Sequence, residues 1–148
     1  MHASHSHNAM PALGMGTFRL LDDVAYQSVK LALKLGYRHI DTAWKYHTEK
    51  AVGEAIRTSG IPRDDIFLVT KVSHEYLRAD DFARMVDESL ANLKLDYVDL
   101  LMIHWPSPDQ APFDETMRAL GRANRTHAVV NSTRSEAHLR NFKTTTFT

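Results

Sequence analysis

The 148-residue chain contains no cysteine. That excludes disulfide bridges and thiol catalysis and agrees with a reducing compartment. Its 18 basic and 18 acidic side chains cancel to a formal net charge of zero, so no overall field attracts nucleic acid, and no basic run marks a membrane-binding surface. No apolar run approaches the roughly 18 residues of a membrane span. The opening "MHASHSHNAMPALG" lacks the continuous apolar stretch of a secretory signal. No Gly/Ser-rich linker divides the chain, so residues 1–148 are read as one domain. Hydrophobic residues make up 43% and charged residues 24%, the composition of a soluble globular domain, expected in the cytoplasm.

What is present is a repeat. "YRHID" (37–41), "DIFLVTK" (65–71) and "DYVDLLMIH" (96–104) are short apolar runs of strand character. Amphipathic segments separate them. Ala25, Val29, Ala32 and Leu33 share one helical face, with Asp22 or Asp23 to cap it and Gly36 to end it. A second helix is expected from about Glu49 to Ser59, with Val52, Ala55 and Ile56 on one face and Gly60-Ile61-Pro62 stopping it. A third runs from about Ala79 to Leu93 with Phe82, Val86, Leu90 and Leu93 in one stripe. A fourth begins near Phe113 and sets Phe113, Met117 and Leu120 together. "PALGMGTF" (11–18) supplies a first strand and its turn. Strand and helix alternating every ~30 residues define βα units around a parallel sheet, about four of them. An inner apolar layer built by Ile40, Leu68, Leu100 and Met102 is expected. After Ala123 the period ends, leaving "HAVV" as a short strand, "SEAHLRNF" as a weak helix and a threonine-rich tail.

Polar residues gather at the C-terminal end of each strand: Gly16 and Thr17, then Asp41, Lys71 and His104. In a parallel βα sheet those ends form one rim, where sites are normally built. Tyr46, on the loop after Asp41, can lean over that rim. A lysine ending an apolar strand needs a counter-ion, and Asp41 on the neighbouring strand can supply it. A tyrosine hydroxyl touching such an ammonium is easier to ionise, because the cation stabilises phenolate. A neutral histidine opposite can donate a hydrogen bond to a carbonyl oxygen. Together these groups suit general acid catalysis on a carbonyl, with hydride from a bound cofactor.

"GMGTFRL", "GYRHIDTAWKYHTEKAVGEAI", "IFLVTKV" and "LDYVDLLMIHWPSP" resemble the aldo-keto reductase family, in order and at family spacing, over about residues 10–123. The nearest look is to 2,5-diketo-D-gluconate reductases, which also reduce methylglyoxal-like aldehydes. The resemblance implies the βα repeats of a TIM-barrel-type (β/α)8 fold and NADPH-dependent reduction of aldehydes and ketones. It makes Tyr46 the proton donor, Lys71 and Asp41 the pair that eases its ionisation, and His104 the group orienting the carbonyl. Gly16, Thr17 and Phe18, with Asp41, match positions beside the cofactor, and Trp44 and Trp105 match substrate-pocket walls alongside His104. Where the family usually has Asn two residues after the tyrosine, this chain has Thr48, followed by the family's Glu49.

A barrel of this kind needs about twice this length, so the resemblance implies a truncated half-barrel whose residues 124–148 form a divergent tail. The residues that would grip the NADPH phosphates then belong to the other half. A rival reading is an inactive fragment that oligomerises through its open sheet edges or pairs with a full-length relative. His2, His5 and His7 lie in a short, Ser-rich terminal segment and are not read as a metal site. The Asn124 and Asn131 sequons are treated as chance.

Overall fold

The computed structural model describes residues 9–126 and 128–129. Four parallel strands form its sheet in the order β1, β2, β3, β5: β1 (Met15–Gly16), β2 (His39–Asp41), β3 (Phe67–Val72) and β5 (Leu100–Ile103). Helices α1 (Asp22–Lys34), α2 (Glu49–Arg57), α3 (Ala79–Leu93) and α4 (Phe113–Thr126) alternate with the strands. With β4 (Tyr97–Val98) and β6 (Ala128–Val129), which pair in parallel, this is a partial (β/α)-barrel.

The helix boundaries have local causes. Neither Asp22 nor Asp23 caps α1 as expected, since the N-cap is Leu21 with no side-chain cap bond; both acids lie in the first turn and Lys34 in the last, each charge opposing the local end of the helix dipole. It stops at Gly36, whose φ of +96° suits a residue without Cβ. Its buried residues are Ala25, Val29, Ala32 and Leu33, the face expected from spacing. α2 ends two residues short of Ser59, where the Ser59 hydroxyl donates back to the Ile56 carbonyl at 2.7 Å. α3 buries Phe82, Met85, Val86, Ser89 and Leu93. Phe82, Leu33, Ile40, Leu68 and Leu101 are among the largest fully buried side chains; each such burial contributes about 2 kcal/mol.

Four expectations are corrected. The run 96–104 is two strands, broken at Asp99, because its Oδ2 accepts from Leu68 N at 2.8 Å and from the Arg63 guanidinium at 2.7 Å. The break turns β4 towards β6 while β5 stays on β3. The core face of α4 is Thr116, Ala119, Leu120 and Ala123, whereas Phe113 and Met117 are only half-buried, since the small residues permit close packing. Ile40 and Leu68 do not share a layer with Leu100 and Met102. Strand alternation puts the first two in the core under the helices and the second two on the opposite sheet face. The helix period also outlasts Ala123, as α4 runs to Thr126, whereas β6 falls within the "HAVV" expected as a short strand. His2, His5, His7, Asn131 and "SEAHLRNF" lie outside the described residues. Among the described residues, no helix is long and apolar enough to cross a membrane.

Candidate active site

Strand register sets the site. Gly16 pairs with Asp41, Asp41 with Val69, and Lys71 with Met102. Because side chains alternate, Asp41, Lys71 (two residues beyond Val69) and His104 (two beyond Met102) all fall on the sheet face away from the helices. They climb towards the C-terminal rim in steps of two residues. The His104 backbone is held there by its N–H donating to Val72 O at 2.9 Å.

Lys71 Nζ donates to Asp41 Oδ1 at 2.7 Å and to the Thr42 carbonyl at 3.0 Å. The lysine side chain is 13% exposed and the aspartate 36%, so the ammonium is enclosed while the carboxylate still reaches solvent. Tyr46 ends a single 3-10 turn (Trp44–Tyr46), and His47 after it adopts a left-handed conformation with φ 58°, turning the chain into α2. That turn lays the Tyr46 ring over the ammonium, with its centroid 5.2 Å from Lys71 Nζ. The His104 ring meets Tyr46 edge-on at 5.4 Å and 82°, and the Phe18 ring packs tilted against Tyr46 at 5.0 Å. Asp41, Tyr46, Lys71 and His104 are thus one cluster.

His104 has its pKa held below the usual histidine value, first by burial and then by the positive charges of Lys71, Lys45 and His74, with Asp41 opposing. A neutral ring carries one N–H. Among the described residues its buried Nδ1 has no hydrogen-bond partner, which argues for the proton on Nε2, since an orphaned acceptor is tolerated better than an orphaned donor.

Trp105, 45% exposed, stands beside this cluster. It meets His104 at 4.4 Å and stacks on His74 at 4.4 Å and 26°, with Lys45 Nζ 5.6 Å from its ring centroid. Trp44 is turned elsewhere: its indole N–H donates to Glu88 on α3 at 2.9 Å, and its ring packs on Tyr76 and His47. Gly16 borders open space, a Cβ there meeting nothing within 4 Å, and the Phe18 ring is 61% exposed. Thr17 is fully buried, and its hydroxyl reaches Asp41 O at 3.2 Å, Thr42 Oγ1 at 3.0 Å and Thr48 Oγ1 at 3.1 Å. It ties the loops together beneath the rim.

That hydroxyl cluster gives Thr42 and Thr48 a role that residue spacing did not single out. Glu49 is another such residue. Its Oε1 accepts from the Thr70 hydroxyl at 2.7 Å and its Oε2 from Asn92 at 3.2 Å, locking α2 to β3 and α3. Burial pushes the Glu49 carboxyl pKa up, against the hydrogen bonds of Thr70, Ser89 and Asn92. By spacing alone a glutamate in a helix's first turn reads as a surface charge, and the one sequence signal was its match to the family's glutamate after Thr48. Among the described residues, no group of three or more His, Cys, Asp or Glu is placed to hold a metal ion.

Residues 12–126 match the aldo/keto reductase family. Methylglyoxal reductase DkgB of Escherichia coli O157:H7 is 52% identical over 118 residues, covering 79% of this chain and 44% of that protein. A crystal structure assigned as a 2,5-diketo-D-gluconic acid reductase B superposes with a TM-score of 0.78 at 49% identity, over 81% of this chain and 42% of that one. An aldo/keto reductase from Brucella melitensis gives 0.77 at 45% identity, over 82% and 47%. The chain spans less than half the length of each.

Proposed function

This chain belongs to the aldo/keto reductase family, and we propose that Tyr46, Lys71, Asp41 and His104 carry the proton-transfer half of a carbonyl reduction. The observation behind this reading is the enclosed Lys71 ammonium, paired with Asp41 and lying under the Tyr46 ring, with His104 edge-on to that ring. The proposed cofactor, NADPH, supplies a hydride to the carbonyl carbon when bound. Tyr46 gives its phenolic proton to the carbonyl oxygen, so an aldehyde or ketone leaves as an alcohol. Lys71 stabilises the phenolate until solvent returns the proton, and Asp41 keeps Lys71 in place. Neutral His104 donates from Nε2 to the carbonyl oxygen and sets its direction.

The solvent-reaching Asp41 carboxylate, the open face of Gly16 and the exposed Phe18 ring fit the nicotinamide end of that cofactor. Thr17 supports this edge through its backbone position, its hydroxyl being fully engaged below. Trp105 forms one wall for the substrate, a methylglyoxal-like or 2,5-diketo-D-gluconate-like carbonyl compound. A second reading is that these 148 residues bind no cofactor and serve as an interaction module.

Titration of the full chain with NADPH, followed by quenching of protein fluorescence, separates the two. Turnover with methylglyoxal is then read at the nicotinamide absorbance band. Saturable quenching, with turnover falling roughly 100-fold or more in Tyr46→Phe, supports the reductase. Absence of quenching at millimolar NADPH overturns it for this chain.

A further inference from the structure

Glu49 is the first residue of α2 and follows Tyr46 by three positions. A carboxyl at a helix N-terminus is favoured by the dipole and ordinarily stays in water, yet this residue is only 2% exposed. Its Oε1 accepts from the Thr70 hydroxyl at 2.7 Å and its Oε2 from the Asn92 amide at 3.2 Å. Burial opposes the charged form. Apolar groups of the same shape could fill this space at little cost in stability. What the carboxyl adds is direction, from two oxygens aimed at two fixed donors.

Those donors are placed to hold the segment that carries Tyr46. Thr70 directly precedes Lys71 on β3, and strand alternation turns its side chain to the helix side while the lysine faces the site. The Glu49–Thr70 bond therefore joins the start of α2 to the strand that bears the ammonium. Asn92 lies one turn beyond Glu88 on α3, and Glu88 accepts from the Trp44 indole at 2.9 Å. The segment 44–49 is thus tied at both ends, but the Trp44 bond is exposed and the Thr70 bond buried. Thr48 ties it to the loops of β1 and β2 through Thr17 and Thr42; Glu49 reaches the strand of Lys71. Tyr46 meets Lys71, His104 and Phe18 through ring contacts, which constrain position less sharply than hydrogen bonds do. Its place over the ammonium therefore follows from where its backbone is anchored.

We propose that Glu49 is a positioning residue for carbonyl reduction: by holding Thr70 it fixes the Tyr46 ring over Lys71 and beside His104. Its role in turnover rests on the reading of Tyr46 as the proton donor. Glu49 itself lies on the helix side of β3, so it acts on the reaction only through the geometry of Tyr46 and Lys71.

The test is NMR of the full chain without cofactor, reading NOEs from the Tyr46 ring to the Lys71 side chain and the His104 ring. They should be present in the parent and in Glu49→Gln, whose amide oxygen still accepts from Thr70. They should vanish in Glu49→Ala with circular dichroism unchanged. Thr70→Val, nearly isosteric, removes the donor instead and should lose them too; it repeats the test should Glu49→Ala not fold. With NADPH and methylglyoxal, Glu49→Ala should lower kcat about tenfold or more with KM nearly unchanged, and Glu49→Gln should recover it. A parent without turnover counts against the reductase reading alone, because the NOEs need no cofactor. A Glu49 that only stabilised the fold would lower the unfolding midpoint and leave the NOEs in place. NOEs absent from the parent, kept in either folded loss variant or missing in Glu49→Gln overturn the proposal, as does a Glu49→Ala chain with the kcat of an active parent.

Discussion

Lys71 Nζ and Asp41 Oδ1 stand 2.7 Å apart across neighbouring parallel strands, and of the two side chains the lysine is the more enclosed. The asymmetry decides what each substitution does. Asp41→Asn strands an enclosed ammonium and should lower stability by about 1–3 kcal/mol, below the full cost of breaking a buried pair because the aspartate reaches solvent. Asp41→Asn with Lys71→Met removes the orphaned charge and should regain part of that loss. Urea unfolding midpoints of the two variants check this; equal losses would contradict it.

The hydroxyls of Thr17, Thr42 and Thr48 lie 3.0–3.1 Å from one another and are buried. Thr48→Val keeps the shape and removes one member, leaving two buried hydroxyls each short of a partner. A loss of about 1–2 kcal/mol is expected, read from denaturant melts. A neutral effect would show that the remaining two hydroxyls satisfy one another.

Gly53 is where α2 rests on the end of α3. A Cβ built there would lie 2.0 Å from the Leu93 carbonyl oxygen and 2.6 Å from its carbon. That same carbonyl accepts a hydrogen bond from Arg57, so backbone on both sides must move. Gly53→Ala should destabilise by about 3 kcal/mol, although alanine ordinarily stabilises a helix interior. Its thermal midpoint should fall well below that of the parent.

The depressed pKa of His104 makes stability pH-dependent in a stated direction. The unfolded ring binds its proton more tightly than the folded one, so acid favours unfolding. The contribution is complete above the unfolded value of about 6.5 and is lost as pH falls through the lower folded value. His104→Gln should flatten this part of the pH–stability profile in chemical denaturation.

Glu49 acts in the opposite sense. Its folded carboxyl holds a proton more tightly than the unfolded one, so its contribution is present below the ordinary carboxyl range and is lost as pH rises through the raised folded value. Glu49→Gln should remove that decline while leaving the acceptor for Thr70. A parent and variant with parallel profiles would contradict the assignment.

The sequence by itself determined the βα alternation, the span of α3 and the faces that α1 and α2 bury, because 3.6-residue periodicity, helix-end charges and breaker residues are local. α1 fits its expected face since Ala25, Val29, Ala32 and Leu33 need no distant partner to be recognised as a stripe. The rim order of Asp41, Lys71 and His104 was also legible, as each simply ends an apolar run.

Only the tertiary structure decided what those residues touch. Which sheet face Ile40 and Leu68 occupy depends on register, and a shift of one residue would exchange the faces. Trp44 and Trp105 look alike as rim aromatics, yet Glu88 on α3 draws one away and His74 stacks on the other. The break at Asp99 requires Arg63 and Leu68, both more than 30 residues earlier. Glu49 and Thr48 stand out in sequence only through the family resemblance, and they are buried in the fold because hydrogen bonds across elements, which no local pattern encodes, satisfy their polar groups.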